Sequence, residues 1–139
     1  MGWRTPGLTA MILILLTACG RQAVPPVQDL AGGSDVSRFA LTSIKGTRDG
    51  ERLNVLAVFG DGARELRVDL QFITGSPTRL TSGRWSGLDG EGQVRERSVT
   101  FLGGQSGPPS IGGRFDLTGP DHVPRYRVTI PLQPLRNRL

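Results

Sequence analysis

Two stretches of strict alternation limit what this chain can become. Leu66, Val68, Leu70 and Phe72 are interleaved with Arg67, Asp69 and Gln71, and Tyr126, Val128, Ile130 and Leu132 with Arg125, Arg127 and Thr129. Successive side chains of an extended strand point to opposite faces, so a period of two gives one apolar and one wetted face. Wound as a helix, the same residues would scatter their apolar groups around the axis. Both stretches therefore predict strands of a sheet with one wet face.

Shorter runs of the same kind, divided by turn residues, place strands near 36–45, 51–60, 64–74, 80–88, 93–102, 111–118 and 123–133. Leu53 to Phe59 is apolar at most positions, which predicts a central strand covered on both sides. Asp49-Gly50, Asp61-Gly62 and Asp89-Gly90 fall between runs. Asp-Gly there is a hairpin signal, because a tight turn needs positive φ. Neighbouring strands are accordingly expected to be mostly antiparallel. Pro131 and Pro134 lack an N–H to give a ladder and point to an edge position for the last strand.

No segment after residue 20 keeps a helical period over three turns, so the chain is expected to be all-β. About seven strands over residues 36–139 suit a mostly antiparallel β-sandwich, with a small up-and-down β-barrel as the alternative. Gly83-Arg84-Trp85-Ser86-Gly87 resembles the Gly-x-Trp motif near the start of lipocalin-like and avidin-like barrels. Here it stands mid-chain over five residues, and no ligand is carried over from it.

The N-terminus has a different character. Arg4 precedes an apolar run from Leu8 to Leu16, and small residues lead to Cys19, which is the layout of a secretory signal. The run would span about 14 Å as a helix, against a hydrocarbon core of about 30 Å. It is too short for a permanent transmembrane segment. Leu16-Thr17-Ala18-Cys19 resembles the lipobox of bacterial lipoproteins. The resemblance implies cleavage between Ala18 and Cys19, a diacylglycerol thioether on the Cys19 sulfur, and a new amino group open to acylation with a chain such as palmitate. Two or three acyl chains hold a protein firmly where one does not. Gly20 stands where inner-membrane retention in some diderm bacteria uses Asp. For a diderm source the expected location is therefore the outer membrane, facing the periplasm or the cell surface.

On this reading residues 1–18 are the signal peptide, 19–35 a lipidated N-terminus and flexible tether, and 36–139 the all-β domain. The tether contains Pro25-Pro26 and Gly32-Gly33 without an apolar period, and sixteen flexible residues reach about 20 to 24 Å on average. Cys19 is the single cysteine. The domain therefore has no disulfide and no thiolate metal ligand, and burial alone must hold it.

The chain carries 17 Lys and Arg against 12 Asp and Glu, and Lys45 is the sole Lys. Such an arginine skew, beside abundant Gly and Pro, fits a high-GC genome; its functional counterpart is attraction to lipid headgroups or acidic glycans. Export separates the protein from nucleic acid.

Motifs that suggest chemistry have plainer readings. Ser106 in Gly103-Gly104-Gln105-Ser106-Gly107-Pro108 misses the Gly-x-Ser-x-Gly pattern at Pro108 and has no following helix, so it is assigned to a loop. His122, the only histidine, sits in Pro120-Asp121-His122-Val123-Pro124 and is assigned to a turn. Asp89-Gly90-Glu91-Gly92 lacks the ligand spacing of a calcium loop. Trp85, Phe101, Phe115 and Tyr126 are expected in the core. No catalytic residue, metal ligand or cofactor is assigned, and no ligand-binding residue is named. The expectation is an envelope lipoprotein held to the membrane through Cys19, non-enzymatic, with a structural role or an envelope-protein partner. The alternative is a barrel that binds a small ligand or lipid.

Overall fold

A computed structural model describes residues 24–135 apart from 89 and 104–107. Ala18, Cys19, Asp89 and Ser106 lie outside the described residues. Eight strands follow in order: β1 Val27–Asp29, β2 Ala40–Asp49, β3 Arg52–Gly60, β4 Glu65–Ile73, β5 Arg79–Gly87, β6 Gly90–Leu102, β7 Ser110–Thr118 and β8 Pro124–Pro134. No helix occurs among the described residues.

The strands form one sheet in the order β1-β8-β7-β6-β5-β4-β3-β2, and every neighbouring pair is antiparallel. This corrects the expected two-sheet sandwich. Strands β2 to β8 follow one another as a meander, and alternation along each strand is the same whether its apolar face meets a second sheet or its own curled continuation. The curl is strong. Phe72 of β4 and Phe115 of β7 stand three strands apart, about 14 Å in a flat sheet, yet their rings meet edge to face at 6.0 Å. The result is a half-barrel, which accords with the barrel-like alternative.

The concave face holds the core. Leu53, Val55, Ala57 and Phe59 of β3, Leu66, Val68, Leu70 and Phe72 of β4, and Phe115, Leu117, Tyr126, Val128 and Ile130 of β7 and β8 are all at most 3% exposed. Trp85 joins them, stacked edge to face on Tyr126 at 5.6 Å, while Phe101 packs against the cluster only partly buried. β3 is not covered on both sides as its composition suggested. Its inward residues are buried, whereas Leu56 and Val58 are half-buried on the convex face.

Two of the Asp-Gly turns are built as expected, with φ of 62° at Gly50 and 96° at Gly62. The third differs: Gly87 pairs with Gly90, and among the described residues of the turn positive φ falls on Gly87 and Leu88. Gly90 is already in the strand.

The N-terminal part of the domain also departs from the sequence reading. Val27–Asp29, assigned there to the tether, is β1, with Val27 opposite Val128 on β8. Thr129 donates its N–H to the Pro26 carbonyl and Leu30 to that of Arg125. The Asp29 carboxylate then accepts the N–H groups of Ala31, Gly32 and Ser34. Partial burial would raise its pKa, but these donors hold it below the ordinary value.

From there residues 30–39 strap one sheet edge to the other. Val36 and Phe39, expected in the first strand, are buried from this strap. Arg64, on the β3–β4 turn, lies over the Phe39 ring at 5.1 Å and donates to the Asp35 carbonyl. The N–H groups of Arg64 and Ala63, followed by the Arg64 guanidinium, draw the Asp61 carboxyl down to about 2. At the opposite end of the half-barrel Arg48 of β2 lies over Phe101 of β6 at 5.5 Å.

Candidate functional site

The sheet is not continuous between β5 and β6. Only Arg84–Gly87 pairs with Gly90–Gln93. Beyond this hairpin tip, Arg79–Ser82 and Gly83 remain paired with β4 alone, and Val94–Leu102 with β7 alone. A fork opens between them.

Its cause is local. The β4–β5 ladder shifts register between Gln71 and Phe72, leaving Thr81 as an extra residue on β5, and the β6–β7 ladder shifts between Glu96 and Ser98, leaving Arg97 extra on β6. A bulge bends its strand and increases the local twist. Two bulges at one level, on adjacent strands that lean on opposite neighbours, drive those strands apart. At the closed end of the fork Gly83 admits a close approach of Val94: a Cβ there would stand 2.7 Å from Val94 Cβ and 3.3 Å from Leu70 Cδ2. Without it, Val94 turns toward the core.

One side chain spans the gap. Glu96 is exposed, and its Oε1 accepts the Leu80 N–H at 2.8 Å, so a carboxylate occupies the place where a strand carbonyl would otherwise be. On the convex side the fork floors a groove of about 700 Å³, bordered by Asp69, Gln71, Thr81, Ser82, Arg84 and Gln93. The Ser82 hydroxyl lies 3.0 Å from Gln71 Oε1, and Thr81 Oγ1 donates to the Gln71 carbonyl at 3.0 Å. A second hollow of about 420 Å³ continues from it toward Arg52 and Asn54. The walls supply hydrogen-bond donors and acceptors of both charges, together with one-sided backbone edges on β5 and β6.

A second polar cluster lies on the convex face of β7. Asp116 is 3% exposed and accepts Arg127 Nε on Oδ1 at 2.7 Å, with Arg97 Nη1 3.3 Å from Oδ2. Burial would raise its pKa, but the hydrogen bond and charge of Arg127, and then those of Arg97, hold it below the ordinary carboxylate value.

The sequence candidates are not brought together. Asp121 and His122 are exposed on the β7–β8 turn, where His122 has φ 63° and donates its N–H to the Gly119 carbonyl. A hollow of about 400 Å³ at this rim lies between His122, Trp85 and Glu91. Among the described residues no group of three His, Cys, Asp or Glu side chains could hold a metal ion.

Sequence reasoning passed over Glu96 and Asp116. A signal for Glu96 was present: Arg95-Glu96-Arg97-Ser98 breaks the alternation with four polar residues in a row, as a bulge does. Compared with protein-family models, curated proteins and solved structures, the chain has no match.

Proposed function

We infer that the chain is an envelope lipoprotein, lipidated on Cys19 after cleavage following Ala18, whose β-domain works without catalysis by binding an extended segment of another envelope protein. The lipobox resemblance of Leu16-Thr17-Ala18-Cys19 supports the anchoring. The observation that carries the binding role is the β5–β6 fork, where two strands each keep one edge without a backbone partner beside a polar groove. An extended peptide satisfies such edges by adding to the sheet, with main-chain bonds giving affinity and side-chain contacts giving selectivity. The concave side, by contrast, is occupied by Phe72, Phe115, Trp85 and Tyr126, which favours this role over a ligand held inside the barrel.

Two measurements test the reading. Intact mass of membrane-extracted protein should give a chain that begins at Cys19 with a lipid adduct, lost in Cys19→Ala. A photo-crosslinker at Ser82 should capture a partner whose crosslinked segment, made as a peptide, slows amide exchange across 79–83 and 94–98. The same peptide N-methylated at alternate residues should not bind. Binding that leaves those amides unchanged would overturn the fork as the site.

A further inference from the structure

Near the turns acids and bases are mixed: Asp49 and Glu51 lie between Arg48 and Arg52, and Asp61 and Glu65 on either side of Arg64. The convex face of β6 to β8 is instead lined by Arg95, Arg97, Arg114 and Arg127. Arg95 lies opposite Asp116, Asp116 opposite Arg127, and Arg114 opposite Ser98 and Thr129, which puts these side chains on one face. Arg95, Arg97 and Arg114 are exposed. The acids on these strands are already engaged. Asp116 is held by Arg127 and Arg97, Glu96 turns to Leu80, and Glu91 stands at the hairpin tip beyond the arginines. The wall therefore has a surplus of positive charge.

Two further observations say what this wall faces. Leu102 and Leu132, 55% and 50% exposed, lie on the strands flanking β7 at the end of the wall away from the hairpin tip. Ser110 is opposite Leu102, and a Cβ on Gly112 would stand 2.7 Å from Leu132 Cα, so the two leucines flank β7 where it carries only small residues. The chain also enters the domain here. Pro26 accepts the Thr129 N–H on β8, and β1 runs antiparallel to β8, so residues 24 and 25 lie toward the leucine end. Six residues separate Cys19 from Pro26, at most about 25 Å of fully extended chain from one Cα to the other.

We propose that the convex face of β6 to β8 lies against an anionic lipid surface, with Arg95, Arg97 and Arg114 on headgroup phosphates and Leu102 and Leu132 at the acyl boundary. Guanidinium groups match phosphate geometry, and attraction to an anionic bilayer is felt within about a Debye length of its surface. An acidic glycan would also attract the arginines, but it offers nothing to two exposed leucines. The anchoring of Cys19 adds nearness to this contact and is not its basis.

With Cys19 lipidated, an introduced cysteine is the only free thiol in the mature chain. Leu102→Cys and, on the β3–β4 turn at the opposite end of the half-barrel, Ala63→Cys in the otherwise complete lipidated protein are labelled with one fluorophore and placed on vesicles. The vesicles are phosphatidylcholine, with or without about 30% phosphatidylglycerol, and carry a quencher in the lipid phase. Quenching at 102 should exceed that at 63 at least threefold on anionic vesicles. It should fall to the level of 63 without phosphatidylglycerol, at about 0.5 M salt, or in Arg95→Gln/Arg114→Gln. That pair spares the Arg127–Asp116 bond, so folding is kept. Equal quenching at both positions, or quenching at 102 indifferent to anionic lipid, would overturn the proposal. Mass analysis of the same sample reads Cys19 lipidation independently. If the adduct is absent, labelling is repeated in Cys19→Ala and the two positions are compared in the same way.

Discussion

Leu135, the residue after β8, packs against Gly46 of β2, at the opposite edge of the sheet. A Cβ on Gly46 would stand 2.9 Å from Leu135 Cδ1 and 3.3 Å from Leu135 Cβ. Leu135 is 1% exposed, and its N–H donates to the Pro109 carbonyl. Side chains thus close the lower end of a seam that has no ladder. Leu135→Ala should cost about 2–4 kcal/mol through the cavity it leaves, and Gly46→Ala about 1–3 kcal/mol through overpacking. Urea unfolding of each variant measures both, and the double variant should recover part of the loss because the added methyl occupies the space vacated. Strict additivity would show that the two residues do not share that space.

Gly92 is a sharper case. A Cβ there would lie 1.8 Å from the Thr118 carbonyl oxygen and 2.9 Å from Trp85 Nε1, the two atoms joined by a buried hydrogen bond of 2.8 Å. Gly92→Ala must break that bond and should destabilise the domain by about 3 kcal/mol, with the Trp85 emission moving to longer wavelength. Trp85→Phe keeps most of the packing and loses only the donor, for about 1–2 kcal/mol. Emission unchanged in Gly92→Ala would contradict the geometry.

Acid stability follows from the carboxylates held below their ordinary pKa. For such groups the folded state favours the charged form, so their contribution is complete above the unfolded value of 3.8 and declines as pH falls through the folded values. Stability should therefore be level from neutral pH to about 5 and fall from about 4 toward 2. Asp116→Asn should lower the plateau and flatten this fall. A decline beginning near pH 6 in the parent chain would point to a different titrating group.

β1 gives a test that separates a strand from a tether. Val27 is 2% exposed, and Val27→Asp buries a charge without a partner, which should cost about 2–4 kcal/mol. Gln28→Asp, at a half-buried position opposite Arg127, should change stability by no more than about 0.5 kcal/mol. Equal tolerance of both would return residues 27–29 to the tether.

Strands β4 and β8 were legible because each keeps a period of two over most of its length, and the other strands from β2 to β7 because turn residues divide their runs; the structure moves their ends by a few residues. β1 was not. Val27-Gln28-Asp29 is three residues between Pro26 and Leu30, and its extension is imposed by β8 rather than by propensity. Whether the apolar faces meet another sheet or their own curled continuation depends on curvature, which alternation does not encode. The fork was half legible: the polar run 95–98 marks a bulge on β6, but nothing in Thr81 announces its counterpart on β5. Glu96 acquires its role only when both bulges fall at one level.

The pairing of Val27 with Val128 joins positions about 100 residues apart, and chain-closure entropy must be overcome before such a contact contributes. A chain made from its N-terminus can zip its hairpins from β2 to β7 as they emerge. β1, though first to arrive, has no partner until β8 follows, and Val27 stays wet in the meantime. The order of arrival and the order of assembly are therefore opposed, and the sheet is completed at its N-terminal edge only when the last strand is in place.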